Sequence, residues 1–460
     1  MKNNKLLLIF PDGVGIRNYL YSNVFKNTNC ELVLFHNFDY QTITDIKKTT
    51  SFLDEITIPK YKESIQEKFL RELICLKRLK YNSEITKNKT ILTNWNWNQK
   101  SFYKKFFYKA IEILSKFNQN YGTILNLEIK YQKAIRKNVF YSEIKSILEK
   151  QNLHGVFCSH QRGLKMATIF AVALDLKIPT TTVIYSWDNL PKARLALRAD
   201  KYLVWSDYMK QEMKLYYPEI HQDTVIVTGT PQFECYMNKD IIIDKETFYK
   251  NYGLDLTKKI ICFSGDDEKT SPDDPKYLED IANAIIKSDC LNNYQILLRR
   301  CPVDMSGRFN KVINKYPDLI KNAPPLWNFN NIKTWTTIYP TIDDIKLLVT
   351  TAYYSDVVVN VGSTMAFDFA MYNKPCLFIN YDQVEKDVSN WSTNTIYQFQ
   401  HFQSMPNKNA VHWLNNKQEI LIKIEKSLSF KDNKHMDIWK ETILGDYQNA
   451  SKNILEQVKK

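Results

Sequence analysis

The sequence predicts an α/β protein with two domains, each built on a parallel β-sheet with crossover helices. Short apolar runs alternate with segments of helical period along most of the 460 residues, which is typical of βαβ units. A glycine-containing loop follows the first apolar run of each half, at 11–15 and at 264–267. The chain is also longer than one hydrophobic core usually serves. We therefore predict domains at 1–240 and 241–432, followed by a helix over 433–460.

The strands predicted for the first domain are short apolar runs separated by helical segments. They lie at Lys5–Phe10, Glu31–His36, Gly155–Ser159, Pro179–Tyr185, Lys201–Trp205 and Thr224–Thr228. Helices are expected from Ile16, over Gly163–Leu174, and after an N-cap at Ser206 or Asp207. The opening apolar run is too short for a signal peptide or a membrane span, so we interpret it as a strand.

A second series of strands follows a polar region at 235–258, where we place the domain boundary. These strands lie at Lys259–Phe263, Gln295–Leu298, Thr336–Tyr339, Ser355–Asn360 and Pro375–Ile379. Helices are expected over Lys276–Lys287 and over about His435–Val458. The last helix either caps the second domain or crosses back to the first.

A basic, mostly helical insertion is predicted at about 61–150 in the first domain. This segment carries 19 Lys and Arg against 8 Asp and Glu, a net charge of +11 out of +13 for the whole chain. Within it, Ser101–Phe117 places apolar residues at helical spacing beside Lys104, Lys105 and Lys109. We expect this helix to meet an anionic membrane surface, and we expect no nucleic-acid partner. The alternative is that its aromatic residues pack on the first domain's sheet while its lysines are merely solvated.

No structural zinc is expected, because the seven histidines are scattered without metal-ligand spacing and the eight cysteines form no Cys-x-x-Cys pair. We expect no cofactor. Cys158, Cys262 and Cys376 fall in apolar, strand-like runs, and we expect reduced thiols in a cytoplasmic protein. No stretch approaches the length of a transmembrane helix. The sequence also lacks a Gly-x-Ser-x-Gly elbow, a His-Glu-x-x-His motif and a Walker loop.

The most informative motif is the segment Asn360–Pro375. A strand runs into Gly362, Ser363 and Thr364, a helix begins, and Asp368 lies one turn inside that helix. Backbone amides at a helix start suit a phosphate, and a carboxylate can accept hydrogen bonds from two ribose hydroxyls. The motif therefore predicts a nucleotide site. The alternative is a plain βαβ unit in which Ser or Thr caps the helix.

Two further residues of the second domain follow predicted strand ends. Gly265 ends the first strand of that domain, and Arg299 comes directly after another. A guanidinium at this position suits the clamping of a diphosphate, with a surface ion pair as the alternative. The acidic run Asp266–Glu268 suggests a magnesium site, but we interpret it as a solvated loop.

Three titratable residues follow predicted strand ends in the first domain: Asp12, His160 and Asp188. A general base that deprotonates a hydroxyl must be Asp, Glu or His within hydrogen-bond reach. We rank Asp188 first, then Asp12, then His160, because Asp188 follows an apolar strand and has Trp187 beside it for stacking on a sugar ring. The alternatives are turn-forming roles for both aspartates and a helix-capping role for His160.

These motifs resemble those of GT-B-fold glycosyltransferases, especially bacterial surface-carbohydrate enzymes and the CDP-glycerol glycerophosphotransferase-like group. The resemblance covers nearly the whole chain outside 61–150. The segments that carry it are Tyr185–Asn189, Lys201–Ser206 with Thr228–Pro231, Arg299–Pro302 and Gly362–Pro375. It implies two Rossmann-like domains facing across a cleft.

One position of this sequence matches the family pattern closely, and two positions differ from it. Asp368 lies seven residues before Pro375, where such enzymes often bind the donor ribose. Asn360 stands where retaining enzymes often carry a second acidic residue, which favours an inverting reaction. The segment Arg299–Pro302 has cysteine where related sequences often have histidine.

The resemblance implies metal-independent transfer of a sugar from a nucleotide-sugar donor to a glycan or lipid-linked acceptor in surface polysaccharide synthesis. It places the enzyme in the cytoplasm, or peripherally at the inner face of the cell membrane. The second domain would bind the donor, and the first would bind the acceptor. The acceptor residues would be Gly13, Arg17, Trp187 and Asn189. The alternatives are a CDP-glycerol-type glycerophosphotransferase, a UDP-sugar 2-epimerase-like enzyme and a non-catalytic carbohydrate-binding protein.

Overall fold

The computed structural model of the protein describes residues 4–26, 28–97, 99, 101–118, 120–329, 338–429 and 432–459. The chain divides into two compact units. The first comprises Met1–Gln232, Phe399–His401 and Thr442–Lys460, and the second comprises Phe233–Gln398 and Phe402–Glu441. The chain thus passes from the first unit to the second just before the polar region at 235–258, and its C-terminal end belongs to the first unit.

The first unit is built on a parallel sheet of seven strands within the described residues. The strands are β1 (Lys5–Ile9), β2 (Glu31–His36), β3 (Asp54–Thr57), β4 (Gly155–Cys158), β5 (Thr180–Val183), β6 (Lys201–Val204) and β7 (Val225–Val227). Their order is β3-β2-β1-β4-β5-β6-β7. Leu6, Leu7, Leu8 and Ile9 of β1 are all almost fully buried, as expected for a central strand covered by helices on both faces.

The helices of the first unit cover this sheet and form the insertion. They are α1 (Gly13–Gly15), α2 (Tyr40–Lys47), α3 (Ile65–Ile85), α4 (Phe102–Leu114), α5 (Tyr121–Ile135), α6 (Val139–Glu149), α7 (Met166–Asp175) and α8 (Asp207–Tyr216). A π-helical turn over Ile16–Leu20 continues α1. The Ser206 side chain caps α8 by accepting a hydrogen bond from the amide of Met209.

Helices α3 to α6 form the predicted helical insertion, which is confirmed. A capping box begins α3, because Ser64 and Glu67 exchange hydrogen bonds between side chain and backbone. Arg78 of α3 is buried and pairs with Glu128 of α5 and with Glu219 of the segment after α8. This buried charge network fixes the insertion helices to the rest of the first unit.

The second unit contains a parallel sheet of six strands and a separate two-stranded antiparallel ribbon within the described residues. Its strands are β8 (Lys259–Gly265), β9 (Tyr294–Arg300), β10 (Ile320–Asn322), β11 (Trp327–Asn328), β12 (Tyr339–Pro340), β13 (Val357–Asn360), β14 (Cys376–Ile379) and β15 (His412–Leu414). The larger sheet has the order β10-β9-β8-β13-β14-β15, and β11 pairs with β12. Thr336 and Thr337 of the predicted strand Thr336–Tyr339 lie outside the described residues.

Helices pack on the larger sheet of the second unit. They are α9 (Lys245–Tyr252), α10 (Asp274–Lys287), α11 (Asn310–Lys315), α12 (Ile342–Tyr354), α13 (Met365–Ala370), α14 (Thr393–Tyr397), α15 (Ile420–Ser429) and α16 (Lys434–Leu444). A last helix, α17 (Ala450–Lys459), belongs to the first unit.

The single helix predicted over His435–Val458 is wrong, because α16 ends before Gly445 and α17 begins at Ala450. Gly445 has a φ of +58°, and a Cβ atom there would lie 2.1 Å from the carbonyl oxygen of Trp205. Only glycine fits this left-handed conformation and this close approach. None of the helices in the described part of the chain has both the length and the apolar character that crossing a bilayer requires.

Candidate active site

Asp12 and His160 meet at the carboxyl edge of the first sheet. Asp12 follows β1 and His160 follows β4, and these two strands are parallel neighbours. Asp12 Oδ2 lies 2.5 Å from His160 Nδ1. Both residues are buried, with 0% of Asp12 and 5% of His160 exposed. The structure thus brings two of the three predicted base candidates into one pair.

The first turn of α1 holds the Asp12 carboxylate in place. Asp12 is the N-cap residue, and its Oδ1 accepts hydrogen bonds from the amides of Val14 (3.0 Å) and Gly15 (3.1 Å). A Cβ atom at Gly15 would lie 2.4 Å from Ser159 Oγ, so this turn packs closely against the end of β4. Gly13 is buried within the same turn and contributes backbone only.

Tyr185, which follows β5, completes this cluster although the sequence did not single it out as a site residue. Its ring stacks on the His160 imidazole, with 4.0 Å between ring centroids and 16° between ring planes. Its amide donates a hydrogen bond to Gln161 Oε1 at 2.9 Å. Desolvation and the Asp12 charge raise the pKa of Tyr185 well above its ordinary value, so the phenol stays protonated at neutral pH. Its place after a buried strand was the available signal.

Asp12 and His160 are residue types that together suit general acid–base catalysis. A carboxylate that accepts a hydrogen bond from Nδ1 fixes the imidazole tautomer and orients the ring. An imidazole ring can accept a proton and later donate it, so one ring can serve as base and then as acid.

Asp188, ranked first as base from the sequence, is engaged elsewhere in the structure. Its carboxylate forms an ion pair with Lys192 and accepts a hydrogen bond from Asn189 Nδ2 at 2.8 Å. Burial by itself would raise the pKa of Asp188, but the charge of Lys192 and the proximity of His401 hold this pKa well below its ordinary value. A carboxylate with such a low pKa is a weak proton acceptor.

The remaining acceptor candidates lie around the same edge of the first sheet. Trp187 is 3% exposed and packs edge-to-face against His401, at 4.8 Å between ring centroids. Its ring therefore offers little surface for stacking on a sugar. Asn189 is also buried and accepts a long hydrogen bond from Arg162 (3.4 Å). Arg17 is half-buried and donates from Nε to its neighbour Asn18.

Gly362 forms the predicted turn after β13 in the second unit. Its φ is +67°, and a Cβ atom there would lie 2.7 Å from the ring of Phe402, so the turn requires glycine. The amides that follow are partly used within the turn. Ser363 donates to Asn360 Oδ1 at 2.8 Å, and Met365 donates to Ser363 Oγ at 3.4 Å. Asn360 therefore braces this turn, and Thr364 is half-buried at its end.

Asp368 lies one turn inside α13, as predicted, but it is 4% exposed. Its Oδ1 accepts a hydrogen bond from the Tyr236 hydroxyl at 2.5 Å. The Tyr236 ring also packs against Tyr372, whose hydroxyl donates to the Tyr236 carbonyl oxygen. Tyr236 thus occupies one of the carboxylate oxygens that the sequence assigned to ribose hydroxyls.

Arg299 forms a buried ion pair, which differs from both roles considered from the sequence. Its Nη2 lies 2.7 Å from Asp344 Oδ1, and the two side chains are 5% and 2% exposed. Asp344 Oδ2 also accepts a hydrogen bond from Trp327 Nε1 at 2.8 Å. This network ties β9 to α12 and β11. The guanidinium is therefore engaged inside the unit rather than presented to a diphosphate.

Gly265 and the acidic residues after it form a packed corner at the end of β8. A Cβ atom at Gly265 would lie 2.6 Å from the Phe309 ring. The amide of Asp266 donates to Asp274 Oδ2 at 2.6 Å. Burial raises the pKa of Asp274 to about 6. The expected solvated loop is therefore wrong for Asp266, which the structure joins to a buried carboxylate.

Metal-ligating side chains do not cluster in the described residues. No group of three or more His, Cys, Asp or Glu side chains there lies close enough together to hold a metal ion. Cys158, Cys262 and Cys376 lie buried in β4, β8 and β14, and burial raises the pKa of each thiol. These three thiols contribute to the sheets as apolar side chains.

Comparison with protein-family models gives no match for this sequence, and comparison with curated proteins gives no significant match. Solved structures match along the whole chain. UDP-GlcNAc 2-epimerase from Neisseria meningitidis, bound to UDP-GlcNAc, has a TM-score of 0.53 at 11% identity, covering 99% of each chain. A glycosyltransferase from Rickettsia africae has a TM-score of 0.53 at 12% identity, covering 100% of this chain and 98% of its own.

A third solved structure is similar to this chain to the same degree. UDP-GlcNAc 2-epimerase from Methanocaldococcus jannaschii has a TM-score of 0.52 at 11% identity, covering 98% of this chain and 99% of its own. At such low identity these similarities show the fold alone. The fold of this chain is the GT-B type, with two parallel-sheet α/β domains and a helical insertion in the first, as the sequence predicts.

Proposed function

We propose that the protein is an enzyme that acts on a nucleoside-diphosphate sugar, with Asp12 and His160 as its acid–base pair. The observation that carries this proposal is the 2.5 Å hydrogen bond between the two buried side chains. The pair lies at the carboxyl edge of a parallel sheet, which is where open α/β sheets bind their ligands. The similarity of the protein's fold to enzymes that act on nucleotide sugars supports this substrate class by analogy.

A 2-epimerase-like reaction is the first candidate. Inversion at C2 of the sugar would remove the C2 proton while the C1–O bond to the nucleoside diphosphate breaks, so that the C2–H electron pair forms a C1=C2 double bond. The proton would then return to the opposite face of C2 as the nucleoside diphosphate adds back to C1. A histidine oriented by a carboxylate suits proton transfer near neutral pH. Two of the three solved structures compared above are UDP-GlcNAc 2-epimerases, and this reaction needs no separate acceptor.

Glycosyl transfer is the second candidate. His160 would take the proton of an acceptor hydroxyl while the acceptor oxygen bonds to the anomeric carbon and the nucleoside diphosphate leaves. The similarity to the Rickettsia africae glycosyltransferase favours it. A glycan or lipid-linked acceptor in surface polysaccharide synthesis belongs to this candidate.

For the nucleotide, we propose the turn after β13 and the end of β8 in the second unit. Gly362, Ser363 and Thr364 would receive the phosphates, and Gly265 would allow close approach of the backbone. Asp368 would receive the ribose after its hydrogen bond from Tyr236 is exchanged. We propose a uridine nucleotide, since the solved structure from Neisseria meningitidis holds UDP-GlcNAc.

The exposed face of α4 supports a further proposal, that the enzyme docks on an anionic membrane. Phe102, Tyr103 and Phe106 are 80%, 84% and 77% exposed. The alternative of packing on the sheet therefore does not account for these three rings, although Ile111 on the opposite face is fully buried. Aromatic residues beside lysines bind interfaces by burying the rings and attracting anionic lipids. The bound enzyme would lie at the cytoplasmic face.

Proton nuclear magnetic resonance of UDP-GlcNAc in heavy water tests the proposal and separates its two candidates. An epimerase should place deuterium at C2 and produce the 2-epimer with no acceptor present. A glycosyltransferase should leave C2 unlabelled and release UDP when an acceptor is added. Binding should also be visible as a rise in melting temperature with nucleotide sugars. If no nucleotide sugar stabilises the protein, the substrate class is wrong.

A further inference from the structure

A concave surface lies in the first unit, between the insertion helices α3 and α5 and the segments that follow β4 and precede β6. It is a small cleft with a volume of about 60 Å³. Its wall is largely apolar, and the apolar side chains are Ile74, Cys75, Leu164, Ala193, Leu195 and Ala196. Neither Asp12 nor His160 lines this cleft.

Four arginines also line the cleft, and three of them are neutralised by carboxylates. The pairs are Arg71 with Glu63 (2.7 Å), Arg194 with Glu72 (3.1 Å) and Arg198 with Glu219 (3.0 Å). Arg162 differs from these three. No carboxylate of the described residues lies within ion-pair distance of it, and its hydrogen bond to Asn189 Oδ1 is long, at 3.4 Å. The cleft therefore presents one cation whose charge the protein leaves uncompensated by contact.

Tyr131 gives a second, independent sign of a ligand. It lies on the wall of the cleft and is 2% exposed. Its hydroxyl makes no hydrogen bond to any described residue. Buried hydroxyl groups are normally hydrogen-bonded, because losing water without a replacement partner costs free energy. A polar atom of a bound molecule would supply that partner.

We propose that this cleft binds an anionic small molecule with an apolar body, such as an alkyl phosphate. Its anionic group pairs with Arg162, its body lies against the apolar wall, and a polar atom meets the Tyr131 hydroxyl. A guanidinium binds phosphate through charge-assisted hydrogen bonds. A free phosphate would leave most of the apolar wall uncovered. The site stands apart from the reaction proposed above, because the residues assigned to that reaction do not line it.

The test is calorimetric titration of the whole protein with octyl phosphate below its micelle concentration, in the absence of nucleotide. Inorganic phosphate and octyl glucoside serve as comparison ligands, the first without an apolar body and the second without a charge. We expect octyl phosphate to bind at least tenfold more tightly than either. Equal binding of inorganic phosphate would show a simple anion site, and equal binding of octyl glucoside would show that the charge is not recognised. Either result overturns the proposal.

Three variants locate the binding. Arg162→Gln should weaken the binding of octyl phosphate about tenfold or more, since the substitution removes a charge-assisted contact. Ala196→Phe should abolish binding by filling the cleft, and Tyr131→Phe should weaken it several-fold. Arg136→Gln is the matched control, because Arg136 pairs with Asp175 and does not line the cleft.

The exposed arginine keeps the test decisive if Ala196→Phe fails to fold. Arg162 is on the surface, so its substitution leaves the core unchanged. Unchanged affinity in folded Arg162→Gln, or no octyl phosphate binding by the unaltered protein, would overturn the proposal. Nucleotide-sugar binding measured on the same variants reports separately on the proposed function.

Discussion

Asp12 Oδ2 and His160 Nδ1 lie 2.5 Å apart although 148 residues separate them in the chain. The contact exists because the whole helical insertion is looped out between two strands that pair side by side. Two backbone amides hold the carboxylate from the other side. The chemistry that we propose depends on this one hydrogen bond more than on any other contact.

Substitution of the pair should separate catalysis from binding. We expect His160→Asn to lower turnover by about two to four orders of magnitude, because it removes the proton-transfer group. Asp12→Asn keeps an oxygen to cap α1, so it should fold while also lowering turnover. His221→Asn is the control, since that histidine is largely exposed. Near-normal steady-state turnover of both variants on the confirmed substrate would contradict the assignment.

The Asp368–Tyr236 contact yields a prediction about nucleotide binding. We expect Asp368→Ala to weaken nucleotide affinity by roughly tenfold or more, since a hydrogen bond to a charged group contributes about 1.5–3 kcal/mol. Tyr236→Phe should keep or improve affinity, because it frees one carboxylate oxygen for the ribose. Calorimetry on the folded variants measures both effects. Equal affinity of Asp368→Ala and the unaltered protein would remove Asp368 from the site.

The Arg299–Asp344 pair should matter for stability. Arg299→Met leaves a buried carboxylate without its cation, which costs about 3–5 kcal/mol. Arg299→Met combined with Asp344→Asn should recover part of that loss. Urea unfolding measures the free energy of unfolding of each variant. If Arg299→Met instead keeps its stability and loses only nucleotide affinity, the diphosphate-clamp role expected from the sequence is the correct one.

Asp274 should make stability depend on pH. Burial raises its pKa from 3.8 to about 6 in the folded protein, so the folded state holds the proton more tightly than the unfolded chain. Its contribution to stability is therefore present below about pH 4 and is lost as pH rises through about 6. Asp274→Asn should flatten this fall in urea unfolding between pH 4.5 and 7.5. An equally steep fall in the variant would show that other groups cause it.

Membrane docking through α4 should depend on charge and salt. We expect co-sedimentation with anionic vesicles that falls with salt and is lost when Lys104, Lys105 and Lys109 are changed to Glu, since each lysine contributes about 1 kcal/mol near an anionic surface. In the matched control, three other exposed lysines are changed to Glu: Lys130 and Lys133, which lie in α5, and Lys137, which follows it. Equal loss with both triple variants would indicate a general effect of net charge. No binding at low salt would leave α4 as a contact for another protein.

The strands of both sheets were largely predictable, because a parallel strand buried on both faces appears in the sequence as a short apolar run. Glu31–His36 agrees residue for residue with β2. β3 was missed, since Asp54–Thr57 pairs at the edge of its sheet with mostly exposed side chains. The break between α16 and α17 was not predicted either. The sequence shows a glycine at position 445, but it does not show that the backbone of Trp205 packs against that glycine.

The sequence by itself determined the βα series, the glycine turn after β13 and the set of titratable residues at strand ends. These features depend on hydrophobic period and on local backbone chemistry. The tertiary structure alone decided which candidates act together. In the structure Asp12 forms a hydrogen bond with His160, Asp188 forms an ion pair with Lys192, and Arg299 forms an ion pair with Asp344. Hydrogen bonds and ion pairs depend on distance in space, and sequence spacing does not reveal that distance between residues on different elements.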